Sequence, residues 1–172
     1  HEGTLGVITS VLRQEAEALN AMSGSIEQGG PIAENWSAAV KMIDACKGHL
    51  VVSGMGKSGL VGAKISATFS SLGIPSHVVH PADAAHGDLG AIRGGDVVML
   101  LSYSGGTAEV VELATILRND GVATLGVSRN DSTNLARVCK THLALGDLDE
   151  AGPLNLAPTT STTATLACGD AL

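Results

Sequence analysis

The chain has 172 residues, is 44% hydrophobic but only 2% aromatic, and carries a formal net charge of −7. Ten Lys and Arg against 17 Asp and Glu argue against a nucleic-acid groove or an anionic membrane surface. So few aromatics leave no stacking platform for single-stranded nucleic acid.

The length suits one ordinary domain, 1–172, with a core of Ala, Val, Leu and Ile, side chains that fit helices packed on a parallel sheet. Cys46, Cys139 and Cys168 lie far apart and form no C-x-x-C pair, which removes zinc-ribbon and redox readings. A reduced, cytoplasmic compartment is expected. The sequence holds no membrane-length apolar run, and no signal peptide is expected. The chain opens at His1 and stops inside an apparent helix, so both ends are expected to be trimmed.

Residues 5–22, "LGVITSVLRQEAEALNAM", and 31–46, "PIAENWSAAVKMIDAC", place apolar side chains at helical spacing. "HLVVS" (49–53) is a buried strand that ends at the glycine-rich "GMGKSG" (54–59), and a helix follows from residue 60 to Gly73. Further strands are expected at 76–80, 96–102, 122–128 and 141–146. Helices are expected at 108–121, near 132–139, and from 162 to the end. Strands alternating with helices imply crossover connections. The expected fold is a three-layer αβα sandwich on a five-stranded parallel sheet, in the flavodoxin-like order 2-1-3-4-5.

"GMGKSG" satisfies two phosphate motifs superficially. A triphosphate loop needs a glycine five residues before Gly56, where Val51 stands. A dinucleotide fingerprint needs an acidic residue about 20 positions on, and Asp83 lies late, beyond a proline. A tight strand-to-helix turn explains the glycines equally well. "SYSGGT" (102–107) is a second turn at a helix start, where Ser102, Ser104 and Thr107 with the N–H groups of Gly105 and Gly106 make a monophosphate nest. In the order 2-1-3-4-5 both turns face one crevice at the carboxyl ends of the strands. Helix capping is the plainer alternative for this loop.

"GMGKSG", "HPADAAHGDLG", "SYSGGTAE" and "GPLNLAPTTSTTATLACGDAL" together resemble the sugar isomerase (SIS) domain of the arabinose 5-phosphate isomerase family, from about residue 5 to the end. The resemblance implies interconversion of D-ribulose 5-phosphate and D-arabinose 5-phosphate through an enediol, feeding synthesis of Kdo for lipopolysaccharide. It implies no nucleotide or metal cofactor, a sugar phosphate as ligand, and a homotetramer with sites between subunits. Many members carry paired regulatory domains of the cystathionine-synthase type (CBS domains), which are not in this sequence. The family's hydroxyl loop often has an acidic residue where Gly106 stands, and the family's functional histidine falls beyond Leu172. A phosphosugar-binding module without turnover is the alternative that this histidine's position raises.

Isomerisation moves a proton between C1 and C2, and needs an ionised carboxylate and a group that stabilises the oxyanion. By resemblance, Glu109 and Glu150 match the family's two functional carboxylates and Lys57 its functional lysine. Glu150 is the favoured base, with Glu109 orienting hydroxyls. Gly56 and Ser58 would flank Lys57 at the phosphate. Thr159, Thr160 and Ser161 would either bind sugar hydroxyls or cap the last helix. His86, on the loop after the second strand, is the candidate for ring opening, with His80 at the loop base, and each has a structural alternative. His77 and His80 lie three apart in an expected strand and cannot share one ion, so no metal site is expected.

Overall fold

A computed structural model describes residues 3–85 and 87–172. Five strands, β1 (Leu50–Gly54), β2 (Ser76–Val78), β3 (Val97–Leu101), β4 (Ala123–Ser128) and β5 (Thr141–Ala144), form one all-parallel sheet in the order β2-β1-β3-β4-β5. Their continuous apolar runs reflect burial on both faces: every residue of β1 and β3 is buried. Alternate side chains along each strand feed two cores. Leu50, Val52, Val97, Met99, Leu101, Leu125, Val127 and Leu143 pack against α1 (Thr4–Glu27), α2 (Gly30–Asp44), α3 (Gly56–Ser71) and α7 (Thr160–Ala171). Val51, Val98 and Leu100 pack on the other side, against α4 (Pro81–Ala85), α5 (Ala108–Asn119) and α6 (Asn134–Val138). The result is the expected three-layer sandwich.

β1 has β2 on one side and β3 on the other, while α3 leaves toward one face and α5 toward the other. A crevice therefore opens between the carboxyl ends of β1 and β3. Three features differ from expectation. The second strand, expected over 76–80, ends at Val78, so His80 lies outside it. The segment after β2, read as loop, contains α4 and a 3-10 turn at Asp88–Ala91. The helix expected from residue 60 begins instead at Gly56, so Lys57 and Ser58 lie in its first turn. Among the described residues, no helix is long and apolar enough to cross a membrane.

Candidate active site

The three glycines of "GMGKSG" each have a separate cause. Gly56 opens α3 at φ +56°, a conformation that disfavours any Cβ. A Cβ on Gly59 would sit 2.6 Å from the Gly54 carbonyl oxygen, and one on Gly54 would meet the Ser58 backbone at 3.1 Å and the Leu101 oxygen at 3.2 Å. The strand end and helix start thus touch backbone to backbone. This contact sets Lys57, exposed, at the rim of the crevice.

Lys57 and Ser58 line a hollow of about 390 Å³ with Met55, Tyr103, Glu150 and Ser161, closed by Leu156, Pro158, Thr162 and Thr165. Of the residues expected at the site, the structure brings together Lys57, Ser58, Glu150 and Ser161. Gly56, Ser102, Ser104, Gly105, Thr107, Glu109, His80, Thr159 and Thr160 do not line this hollow. Glu109 is exposed in the first turn of α5. His80 is exposed and its Nδ1 accepts the Ala82 N–H (3.3 Å), a local turn contact at the start of α4. His86 lies outside the described residues.

Glu150 is held by the start of α7. Its Oε2 accepts the Thr159 N–H, the Thr159 hydroxyl (3.1 Å) and the Ser161 N–H (3.4 Å). Burial pushes its carboxyl up, but the bonds from Ser161 and Thr159 outweigh burial and hold it below the ordinary glutamate range. All three bonds fall on Oε2, so Oε1 accepts none of them. Thr159 was expected either to cap α7 or to bind sugar. Its side chain makes no capping bond; it supports Glu150 and also accepts the Ala151 N–H (2.8 Å). The carboxylate itself caps the helix. Thr160 is buried, and its hydroxyl has no partner among the described residues.

Tyr103 is a site residue that sequence reasoning missed. Its hydroxyl accepts the Leu148 N–H (2.6 Å) and lies 3.0 Å from the Gly146 oxygen and 3.2 Å from the Leu148 oxygen. It thereby ties the hydroxyl loop to the segment that carries Glu150. The available signal was its composition: the chain's one tyrosine stands inside a turn of serines and glycines.

The hydroxyl loop differs from the expected nest in one respect. Gly105 is buried and its N–H is spent on the Ser102 carbonyl (2.9 Å), so it is not an open donor. The Gly106 N–H faces the Ser104 hydroxyl at 3.3 Å, and the Ser102 and Thr107 hydroxyls bond each other at 2.8 Å. The donors left for an anion are the hydroxyls and the first-turn N–H groups of α5, which have no intrahelical acceptor. Among the described residues, no group of three or more His, Cys, Asp or Glu side chains is arranged to hold a metal ion. A larger hollow, about 490 Å³, opens at the opposite edge, against Lys41, Lys47 and Lys140. It holds none of the residues expected at the site.

Comparison with known proteins bears on the family and the fold. The family described as SIS domain matches residues 43–172. The arabinose 5-phosphate isomerase KpsF of Escherichia coli O6:H1 (strain CFT073) is 44% identical over 169 residues, 96% of this chain and 50% of that protein. The arabinose 5-phosphate isomerase KdsD of Pseudomonas aeruginosa is 48% identical over 141 residues, 82% of this chain and 43% of that protein. The chain thus spans about half the length of the curated relatives it matches. An E. coli CFT073 protein solved in complex with arabinose 5-phosphate superposes with a TM-score of 0.87 at 35% identity, covering 97% of this chain and 86% of that one. A Bacteroides fragilis protein described as a phosphosugar isomerase involved in capsule formation gives 0.86 at 36%, covering 98% and 86%.

Proposed function

The chain belongs to the SIS domain family, and we propose that it interconverts D-arabinose 5-phosphate and D-ribulose 5-phosphate, in the cytoplasm, as a supply step for Kdo and lipopolysaccharide synthesis. The observation that carries this reading is the shared hollow of Lys57 and Glu150, beside the hydroxyl-rich start of α5 at the switch point of the sheet.

In this reading the phosphate rests on the Ser102, Ser104 and Thr107 hydroxyls and the first-turn N–H groups of α5, with Gly56 and Ser58 at the start of α3 closing the other side. Glu150, through Oε1, which accepts none of the bonds from the Thr159 and Ser161 backbone, takes the proton from C2 of the open-chain aldose. The C2–H electron pair forms the C1–C2 double bond of the enediolate, and charge moves to O1, where the Lys57 ammonium neutralises it. Returning the proton to C1, with loss of the O2 proton and gain of one at O1, gives the ketose. Glu109 orients sugar hydroxyls, with Ser161 on the α7 side; Thr159 supports Glu150 instead, and the buried Thr160 does not meet the sugar; His80 and His86 serve ring opening. No cofactor is needed for this proton transfer.

Residues 1–172 are read as one SIS domain, because Met22 of α1 and Trp36 and Ile43 of α2 share the core of the sheet. The homotetramer draws support from the exposed Leu5, Ile8 and Leu12, spaced along one side of α1. A second reading, phosphosugar binding without turnover, draws on the use of Glu150 as a helix cap. Incubating the natural full-length protein with arabinose 5-phosphate and assaying ribulose 5-phosphate separates the two. Conversion is expected; a folded protein that binds the sugar phosphate without converting it overturns the isomerase reading.

A further inference from the structure

One buried titratable group has no part in the proposed reaction. His142, the second residue of β5, is 5% exposed and bonded at both ring nitrogens. Nδ1 meets Asp131 Oδ1 at 2.7 Å, and Nε2 meets Ser128 Oγ at 2.6 Å. Asp–His–Ser is the order of a hydrolytic triad. Ser128, however, is fully buried at the end of β4, so no substrate carbonyl can reach its hydroxyl. The chain of bonds runs inward instead. Ser128 Oγ lies 2.8 Å from Thr133 Oγ1, and Thr133 accepts the Ala136 N–H (3.2 Å) as the N-cap of α6.

A carboxylate only accepts, so His142 Nδ1 donates to Asp131. Ser128 Oγ and Thr133 Oγ1 also lie 3.4 Å and 3.2 Å from the Asn130 carbonyl oxygen, which can take a hydroxyl proton at the inner end of the chain. Every polar atom from Asp131 to the α6 cap therefore has a partner.

Thr133 in turn meets the hydroxyl loop. A Cβ on Gly105 would fall 2.3 Å from Thr133 Cβ and 2.5 Å from its Oγ1, so the Gly105 backbone lies flat on this side chain at φ +66°. The Gly105 carbonyl also accepts the Leu135 N–H from the first turn of α6 (2.9 Å). Just beside it, the Tyr103 carbonyl accepts the Arg129 N–H (2.9 Å). The loop is therefore seated on the β4–α6 connection that His142 braces.

We propose that His142 is a positioning residue for anion binding: with Asp131 it fixes the Ser128 and Thr133 hydroxyls, and through Thr133 it holds Gly105 and the start of α5 in the geometry that receives the substrate's phosphate. This rests on the isomerase reading for the substrate's identity, but not for the anion.

The test uses inorganic phosphate as probe. It follows the amide resonances of Gly105, Gly106 and the first turn of α5, alongside KM and kcat with arabinose 5-phosphate. His142→Asn keeps a group that can reach Asp131 but places nothing at Nε2, whereas His142→Gln places its amide near the Nε2 position. Ser128→Ala removes the middle link. Asp131 is 59% exposed, so Asp131→Ala removes the outer link at a position where folding is least affected. His142→Asn, Ser128→Ala and Asp131→Ala are expected to weaken phosphate binding and raise KM in parallel, by about fivefold to tenfold, the loss of one buried hydrogen bond. Values of kcat should stay within about twofold, because the reacting atoms are untouched, and His142→Gln should recover most of the loss. Unchanged phosphate affinity in folded Ser128→Ala and Asp131→Ala protein, whatever happens to thermal stability, overturns the proposal. Wild-type protein that binds phosphate at these amides but does not convert the sugar removes the isomerase reading and leaves this one to be decided by the phosphate titrations.

Discussion

Replacing Gly59 by Ala places a methyl group 2.6 Å from the Gly54 carbonyl oxygen, about 0.8 Å inside ordinary contact. The obstacle is backbone of a central strand, so no side chain can turn away to make room. Overpacking of this kind costs about 1–3 kcal/mol, and the upper end applies because both partners are backbone. Alanine's higher helix propensity returns about 1 kcal/mol. The net expectation is a loss of about 2 kcal/mol, or a Tm lowered by about 4–8 °C. Gly24→Ala in α1 is the control: nothing lies within 4 Å of its Cβ. That variant should be stabilised by about 0.5–1 kcal/mol. Because the first turn of α3 carries Lys57, Gly59→Ala should also lower kcat/KM about tenfold to 100-fold through misplacement of the ammonium. Urea unfolding of both variants, with the turnover assay, measures each term. A Gly59→Ala protein as stable as Gly24→Ala would refute the account of the glycine turn.

Other expectations follow from the same contacts. The Glu150 carboxyl is held below the ordinary glutamate range, so its contribution to stability is present at neutral pH and lost as pH falls through its folded value. The acid limb of kcat/KM should accordingly lie below the pKa of an ordinary glutamate; a limb near neutrality contradicts Glu150 as the base. Tyr103→Phe strips the Leu148 N–H and one carbonyl, that of Gly146 or Leu148, of their partner, which should cost about 1–3 kcal/mol and raise KM, as read by unfolding and initial rates. Burial pushes the Cys139 and Cys168 thiols up to about 12. Iodoacetamide at pH 8 should therefore modify Cys46 alone in the folded protein, as mass spectrometry would report.

The sequence made the sheet legible because a strand buried on both faces must read as an unbroken apolar run, and "HLVVS" and "DVVMLLS" do. Crossover logic gave the parallel sheet, and the flavodoxin-like order 2-1-3-4-5 put Lys57 and Glu150 at one edge. The helix starting at Gly56 was not legible, since "GKSG" is poor helix-forming sequence and forms its turn only by packing on Gly54. Nor was the role of Thr159. Its partners Glu150 and Ala151 are met across a closed loop of eight or nine residues, a distance no local pattern encodes. Tyr103 and His142 share that difficulty: their partners lie on other crossovers, 43 to 45 residues away for Tyr103 and 11 to 14 for His142. The short α4 begins at Pro81 in a stretch without helical periodicity, and so read as loop.

The central claim is that Glu150 carries the proton between C2 and C1. Proton NMR of arabinose 5-phosphate turned over in D2O measures that transfer directly. Because the proton held on the Glu150 carboxyl exchanges with D2O before it is returned, wild-type protein should place deuterium at C1 of the ribulose 5-phosphate formed. Glu150→Gln should cut this incorporation by about 10²–10⁴-fold while still binding phosphate at the start of α5. Incorporation by Glu150→Gln at the wild-type rate would contradict the assignment.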